Sequence, residues 1–260
     1  KNLYREVQSF RMKEEVLESF IRQYIQSQTV PNISFVWHGG EPTLLGLDFF
    51  EKVLELQKKY AGNKQITNSL QTNGTRIDDQ WARFLAQNNF LTGISIDGPQ
   101  HLHDHYRKDK KGNGSFQQVM RGIQLLKKHG AEFNTLTVVN NHNVHYPKEI
   151  YAFLRSIGSR FMQFIPIVEQ QAEPSEGSPL ELISPDYTGK AHLTDWSVSS
   201  REYGKFLTTI FDDWVVRDVG RHFVQIFDTT LANWVRHDPG LCVFDRTCGE
   251  AAVLEHNGDL

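Results

Sequence analysis

Residues 33–41, ISFVWHGGE, decide the fold, because a short apolar run ends there in two glycines and a carboxylate. A run of this kind predicts a buried strand followed by a tight turn. Four similar runs follow along the chain: residues 66–74 (ITNSLQTNG), 91–98 (LTGISIDG), 133–140 (FNTLTVVN) and 161–167 (FMQFIPI). The sequence therefore predicts five strands, and its Gly-rich and polar turns come after the strands rather than before them.

Each gap between these strands has room for one helix. Repeated strand–helix units of this kind predict parallel strands joined by right-handed crossovers, in an open sheet or a partial barrel. Ligands bind at the carboxyl ends of the strands in both architectures. Apolar periodicity predicts helices over residues 13–27, 47–60, 78–88, 115–129, 147–156, 200–216 and 227–236, with Asp78 or Asp79 near one N-cap, Ser115 as another, and Gly130 as a C-cap.

Composition narrows the functional classes. The 260 residues carry 28 Lys and Arg against 31 Asp and Glu, a net charge of −3, which argues against nucleic acid as a partner. We also expect no membrane partner, because no run of about 18 apolar residues occurs. Two cysteines are too few for a disulfide framework.

The first chemical motif is His38-Gly39-Gly40-Glu41-Pro42. Glycines allow a ligand to approach the backbone closely, and the carboxylate of Glu41 can accept hydrogen bonds from an ammonium group. A structural turn with a solvated glutamate explains the same residues equally well.

The second motif runs from Ser95 to Arg107, in the order Ser95-Ile96-Asp97-Gly98-Pro99 and then HLHDHYR. A serine hydroxyl and an arginine fork can together hold a carboxylate. The alternative is a capped turn with a surface arginine. Residues 71–74, QTNG, suit a polar ligand or a plain turn.

The third motif is the pair Cys242 and Cys248, with five residues between them. Two thiolates are half of a four-cysteine set for zinc or an iron–sulfur cluster. Two inert cysteines are the alternative.

Both ends of the sequence suggest a fragment. It begins at Lys1, and Asn257-Gly258 predicts a hairpin turn whose second strand would begin at Asp259.

The order of the motifs carries more information than any one of them. The runs WHGGEPTLLGLDFF, NSLQTNGT, GISIDGPQHLHDHYR and MQFIPIVE resemble the anaerobic sulfatase-maturating enzymes of the radical S-adenosylmethionine (SAM) class. The resemblance implies an α/β fold, a partial (β/α)6 radical SAM barrel over residues 1–168 that lacks its first strand and cluster loop. It also implies an insertion or loop over 169–198, a helical link over 199–241, and the start of a cysteine-rich auxiliary-cluster (SPASM) region over 242–260.

The resemblance further implies the chemistry. SAM and [4Fe-4S] clusters would be the cofactors, and the radical made from SAM would oxidise an active-site Cys or Ser of a sulfatase polypeptide to Cα-formylglycine. Flavodoxin or ferredoxin would supply electrons, in the cytoplasm. By position, Gly39, Gly40 and Glu41 would hold the methionine amino end of SAM, Ser95 and Arg107 its carboxylate, Val168 the adenine, and Cys242 and Cys248 an auxiliary cluster.

The sequence departs from the family pattern in two respects. No CxxxCxxC motif for the radical-generating cluster occurs in the 260 residues, and the aspartate that the family uses as general base would lie beyond Leu260. We therefore expect this segment alone to be inactive. The alternatives are a radical SAM/SPASM maturase of another peptide and, from a different class, a cluster-free regulator that binds a sulfatase or a peptide.

Overall fold

The computed structural model describes residues 11–172, 183, 187–235, 237, 240–241, 244–246 and 252–260. Six strands form one parallel sheet in the order β1-β2-β3-β4-β5-β8, and two more form a small antiparallel hairpin, β6-β7. The strands are β1 Asn32–Trp37, β2 Gln65–Thr72, β3 Leu91–Ser95, β4 Phe133–Val139, β5 Phe161–Pro166, β6 Gln170–Ala172, β7 Ala191–Leu193 and β8 Phe223–Val224.

Helices connect the parallel strands, as the spacing predicts. They are α1 Glu14–Ser27, α2 Leu47–Tyr60, α3 Asp79–Gln87, α4 Gln100–Tyr106, α5 Phe116–His129, α6 Pro147–Ser156, α7 Ser200–Arg217 and α8 Gln225–Trp234, with short 3₁₀ turns at Pro42–Leu45 and Asn143–His145. No helix in the described residues is long and apolar enough to cross a membrane. The predicted α/β class and the five predicted strands are confirmed.

Three elements escape the sequence prediction. Helix α4 has only 7 residues, and β8 has 2, so neither is long enough to show a period. The third is the β6-β7 hairpin, which lies inside the stretch predicted as an insertion or loop. Its strands have 3 residues each, and the turn-forming composition around them masks the signal.

The alternation of side chains along the strands separates a packed face from a half-open one. In β1, Ile33 and Phe35 are buried against residues of α1 and α2. Val36, the next residue after Phe35, points the other way and is 70% exposed. Because alternate residues of a strand point to opposite faces, the helices cover one face of the sheet. The other face is free to line a site.

The helix ends show where local chemistry was predictable. Asp78 accepts a hydrogen bond from the backbone N–H of Trp81 at 2.9 Å, and Gly130 ends α5 with φ +70°, as predicted. Ser115 is the N-cap residue of α5, as predicted, but its side chain makes no capping bond. Asp104 instead accepts from the N–H of Phe116 at 2.9 Å.

The carboxyl-terminal turn has the form predicted from Asn257-Gly258. The N–H of Gly258 donates to the carbonyl of Glu255 at 3.0 Å, and Gly258 has φ +98°.

A buried charge cluster joins α6 to the end of α7. Asp218 is 6% exposed and accepts from the Tyr151 hydroxyl at 2.7 Å and from Arg155 Nη1 at 3.1 Å. Burial, together with the bond to Asp218, raises the pKa of Tyr151 well above its usual value. The cluster therefore fixes the carboxyl-terminal end of α7 to α6.

Removing Asp218 should destabilise the fold far more than removing an exposed neighbour. Asp218→Ala leaves Arg155 without its partner in a partly buried position and should lower the free energy of unfolding by about 3 kcal/mol. Asp213→Ala removes a more exposed ion pair with Arg217 and should cost about 0.5 kcal/mol. Urea unfolding of both variants measures the difference, and equal losses would contradict this assignment.

Candidate functional site

The candidate residues gather at one edge of the parallel sheet. Gly39 and Gly40 follow β1, Ser95 ends β3, and Val168 lies two residues beyond β5. Arg107 follows α4, in the connection that leaves β3. Since the strands are parallel, their carboxyl ends share this edge, and the topology brings together loops that are far apart in sequence.

Gly39 and Gly40 form a turn that other residues would strain. Their φ angles are +89° and +44°, and no atom lies within 4 Å of the position that a Cβ would take at either residue. Both are exposed. The turn therefore presents open backbone, including carbonyl groups, to an approaching ligand.

The carboxylate of Glu41 accepts most of its hydrogen bonds from groups within the protein. Its Oε1 accepts from the backbone N–H of Thr43 at 3.1 Å, from the Thr43 hydroxyl at 2.6 Å and from the Thr72 hydroxyl at 2.6 Å, and its Oε2 accepts from the N–H of Asn73 at 2.8 Å. The carboxylate ties the loop after β1 to the loop after β2. Only the remaining acceptor capacity of Oε2 is left for an ammonium group.

Residues 71–74 serve two purposes. Thr72 and Asn73 build the turn, with Asn73 accepting from the N–H of Thr75 at 3.0 Å. Gln71 instead donates from Nε2 to the hydroxyl oxygen of Ser95 at 3.2 Å. Ser95 accepts that bond, so its own hydroxyl proton can still be donated to a ligand.

Asp97 and Arg107 form an enclosed ion pair beside Ser95. Arg107 donates from Nε to Asp97 Oδ2 at 2.6 Å and from Nη2 to Oδ1 at 3.1 Å, and Asp97 Oδ1 also accepts from the N–H of Val138 at 2.9 Å. The side chain of Asp97 is 4% exposed and that of Arg107 is 26% exposed. The pair fixes the guanidinium and leaves both Nη1 protons for an anion.

His103 is connected by hydrogen bonds to the backbone of both members of this pair, directly at Asp97 and through Ser115 at Arg107. Its Nδ1 accepts from the N–H of Asp97 at 3.2 Å, and its Nε2 lies 3.0 Å from the hydroxyl of Ser115, which in turn donates to the carbonyl of Arg107 at 3.0 Å. Burial lowers the pKa of His103 to about 4, against the opposing effect of Asp97. The imidazole is therefore neutral and donates from Nε2.

Val168 lies at the far end of the site and is 58% exposed. The backbone before it continues the sheet, because the N–H of Ile167 donates to the carbonyl of Val139 at 2.9 Å. Cys242 and Cys248, predicted to ligate an auxiliary cluster, lie outside the described residues. Their assignment stays a prediction, as does the division into four segments.

Sequence reasoning missed the residues that organise the site. Asp97 lies within the second motif without an evident role of its own, and no motif includes Glu169 or Trp196 in a role. A carboxylate two residues after a parallel strand and ten residues before an arginine is a usable signal for Asp97. Nothing local connects Glu169 with Trp196, because 26 residues separate them.

Fold and site together define an α/β protein with a polar, glycine-containing ligand site at the carboxyl edge of a parallel sheet. Residues 4–154 match the family model of the radical SAM superfamily. The chain belongs to this superfamily, whose cofactors are SAM and an iron–sulfur cluster.

Relatives give a narrower comparison. The chain is 50% identical over 259 residues to a serine-type anaerobic sulfatase-maturating enzyme of Bacteroides thetaiotaomicron, an alignment that covers 100% of the chain and 62% of the relative. It is 35% identical to a cysteine-type anaerobic sulfatase-maturating enzyme of Clostridium novyi, over 98% of the chain and 65% of that protein. The chain thus spans less than two thirds of the length of these curated relatives.

A solved structure agrees with the fold. The structure of native anSMEcpe with bound AdoMet superposes with a TM-score of 0.81 at 36% identity, covering 94% of this chain and 63% of that one. The same protein with bound AdoMet and the Kp18Cys peptide superposes with a TM-score of 0.77.

The buried, neutral His103 should make the fold sensitive to acid. Its pKa is about 4 when folded, against an ordinary value of 6.5, so the unfolded chain binds the extra proton between these values and stability falls as the pH drops. Unfolding at pH 5 should be easier by about 2 kcal/mol than at pH 7.5 from this group alone.

His103→Asn should remove that part of the pH dependence, measured by urea unfolding at both pH values. His101→Asn is the control, because the side chain of His101 is 57% exposed and should leave the slope unchanged. Identical slopes for the wild type and His103→Asn would contradict the neutral, buried assignment.

Proposed function

We propose that the protein containing this chain is an anaerobic sulfatase-maturating enzyme that oxidises a serine or cysteine of a sulfatase to Cα-formylglycine. Both serine-type and cysteine-type relatives align with almost the whole chain, which supports this reaction and leaves both substrates in its scope. SAM would supply the oxidising radical once it receives an electron from its iron–sulfur cluster.

The observation that carries the proposal is the opposite polarity of the two ends of the site. Open backbone at Gly39 and Gly40 offers acceptors, whereas Ser95 and Arg107 offer donors. A free amino acid group, such as the methionine end of SAM, needs acceptors for its ammonium and donors for its carboxylate. The residues present therefore fit SAM.

Each residue then has a role. The carbonyls of Gly39 and Gly40, with the remaining capacity of Glu41, would accept from the ammonium. The Ser95 hydroxyl and the Nη1 protons of Arg107 would donate to the carboxylate.

The rest of the cofactor is assigned in the same way. The backbone around Val168 would meet the adenine. Cys242 and Cys248 would ligate an auxiliary cluster in the longer protein.

The partners follow from this chemistry. The substrate would be a sulfatase polypeptide that presents the reacting serine or cysteine. A one-electron carrier protein, flavodoxin or ferredoxin, would reduce the cluster. We expect the reaction to occur in the cytoplasm, because the cluster would be oxygen-sensitive and SAM is an intracellular metabolite.

The test is to offer the anaerobically reconstituted full-length protein two sulfatase peptides, one with serine and one with cysteine at the reacting position. Formylglycine formation removes two hydrogens from the serine peptide, and from the cysteine peptide it also replaces sulfur by oxygen. Mass spectrometry should show one or both changes, dependent on SAM. A peptide with alanine at that position is the control, and no product from either substrate would refute the proposal.

A further inference from the structure

Residues 194–198, here called the clasp, return from the β6-β7 hairpin and close over the ends of β4 and β5. The N–H of Thr194 donates to the carbonyl of Glu169 at 3.0 Å, and the N–H of Val198 donates to the carbonyl of Ile167 at 3.0 Å. On the other side, the carbonyl of Trp196 accepts from the N–H of Asn141 at 3.1 Å. The clasp is therefore bonded to the loops that leave both strands.

Glu169 is the centre of these contacts. Trp196 Nε1 donates to Glu169 Oε2 at 2.6 Å. The backbone N–H of Glu169 donates to Ser197 Oγ at 2.9 Å, and the carbonyl of Glu169 accepts from Ser197 Oγ at 3.2 Å. A bond from an indole N–H to a carboxylate is charge-assisted and stronger than a neutral one. Backbone and side chain of Glu169 are thus both fixed by the clasp.

The clasp bonds to the residues on both sides of Val168. Ile167 is held through its carbonyl, and Glu169 is held through its N–H, its carbonyl and Oε2, whereas Val168 itself is 58% exposed and gains little from packing. Strand β8 pairs with β5 only at Phe161 and Met162, so it gives no support at this end of the strand. Apart from the bond between the Ile167 N–H and the Val139 carbonyl, the backbone around Val168 therefore depends on the clasp.

We propose that the clasp is a positioning element for the adenine end of the SAM site, with Glu169 and Trp196 as its positioning residues. The inference rests on the proposed function, because that function places adenine at Val168. It gives part of the stretch 169–198 a role inside the cofactor site. A backbone that is already ordered binds a ligand without the cost of ordering it.

The central variant is Trp196→Phe, which keeps an aromatic ring and removes the N–H that Glu169 accepts. In the reconstituted full-length protein, the dissociation constant for 5′-deoxyadenosine should rise about fivefold or more. The KM for SAM should rise in parallel, with kcat nearly unchanged. Amide hydrogen exchange should accelerate at residues 167–169.

Two further variants serve as a control and as a second test of the same hydrogen bond. Trp234→Phe is the matched control, because Trp234 is 84% exposed on α8 and should change none of these quantities. Glu169→Gln weakens the same bond from the other side, and its effect should not add to that of Trp196→Phe. This variant also keeps the inference testable if Trp196→Phe does not fold.

The outcomes separate the two proposals. A wild-type protein that binds no SAM would refute the proposed function. A wild-type protein that binds SAM, with unchanged 5′-deoxyadenosine affinity in folded Trp196→Phe and Glu169→Gln, would overturn only the positioning role. An equal loss of 5′-deoxyadenosine and free methionine binding would also overturn it, because it would indicate a general disturbance of the site.

Discussion

The Asp97–Arg107 ion pair is the contact on which the arrangement of the site most depends. A carboxylate as enclosed as Asp97 is costly to bury unless its oxygens are satisfied. Two bonds from Arg107 and one from the backbone of Val138 satisfy it. The same three bonds join the loop after β3, the end of α4 and strand β4, so an electrostatic requirement also sets the relative positions of these three parts of the chain.

The same principle operates at two other strand ends. Glu41, after β1, binds the loop after β2, and Glu169, after β5, binds the clasp. Parallel strands end in loops that lack a regular backbone ladder, and carboxylates supply acceptors for their N–H groups. The carboxylates at this edge thus serve largely to position loops, while backbone carbonyls, a hydroxyl and the free side of a guanidinium remain for a ligand.

Sequence periodicity was sufficient for the sheet and not for the details of its edge. The five long strands were predictable because apolar runs and turn residues are local signals, and the parallel order follows from the helix-sized gaps. Gly39 and Gly40 were predictable for the same reason: two adjacent glycines after a strand indicate a positive-φ turn, which the structure contains.

What escaped prediction depends on distance along the chain. The sequence suggested that Glu41 is available to an ammonium group, but Thr72 and Asn73, about 30 residues away, supply two of the four hydrogen bonds that its carboxylate accepts. Ser115 fits an N-cap by type, yet the approach of His103 and Arg107 redirects its hydroxyl. Contacts of this kind are set by the tertiary fold, and no local pattern encodes them.

The most direct test of the account is an anaerobic crystal structure of the full-length protein with SAM bound. We expect the methionine carboxylate to lie within hydrogen-bond distance of the Ser95 hydroxyl and the Arg107 guanidinium, with the Asp97–Arg107 pair intact. A SAM molecule whose carboxylate lies away from both residues, or an Arg107 that has left Asp97 to reach it, would contradict the account.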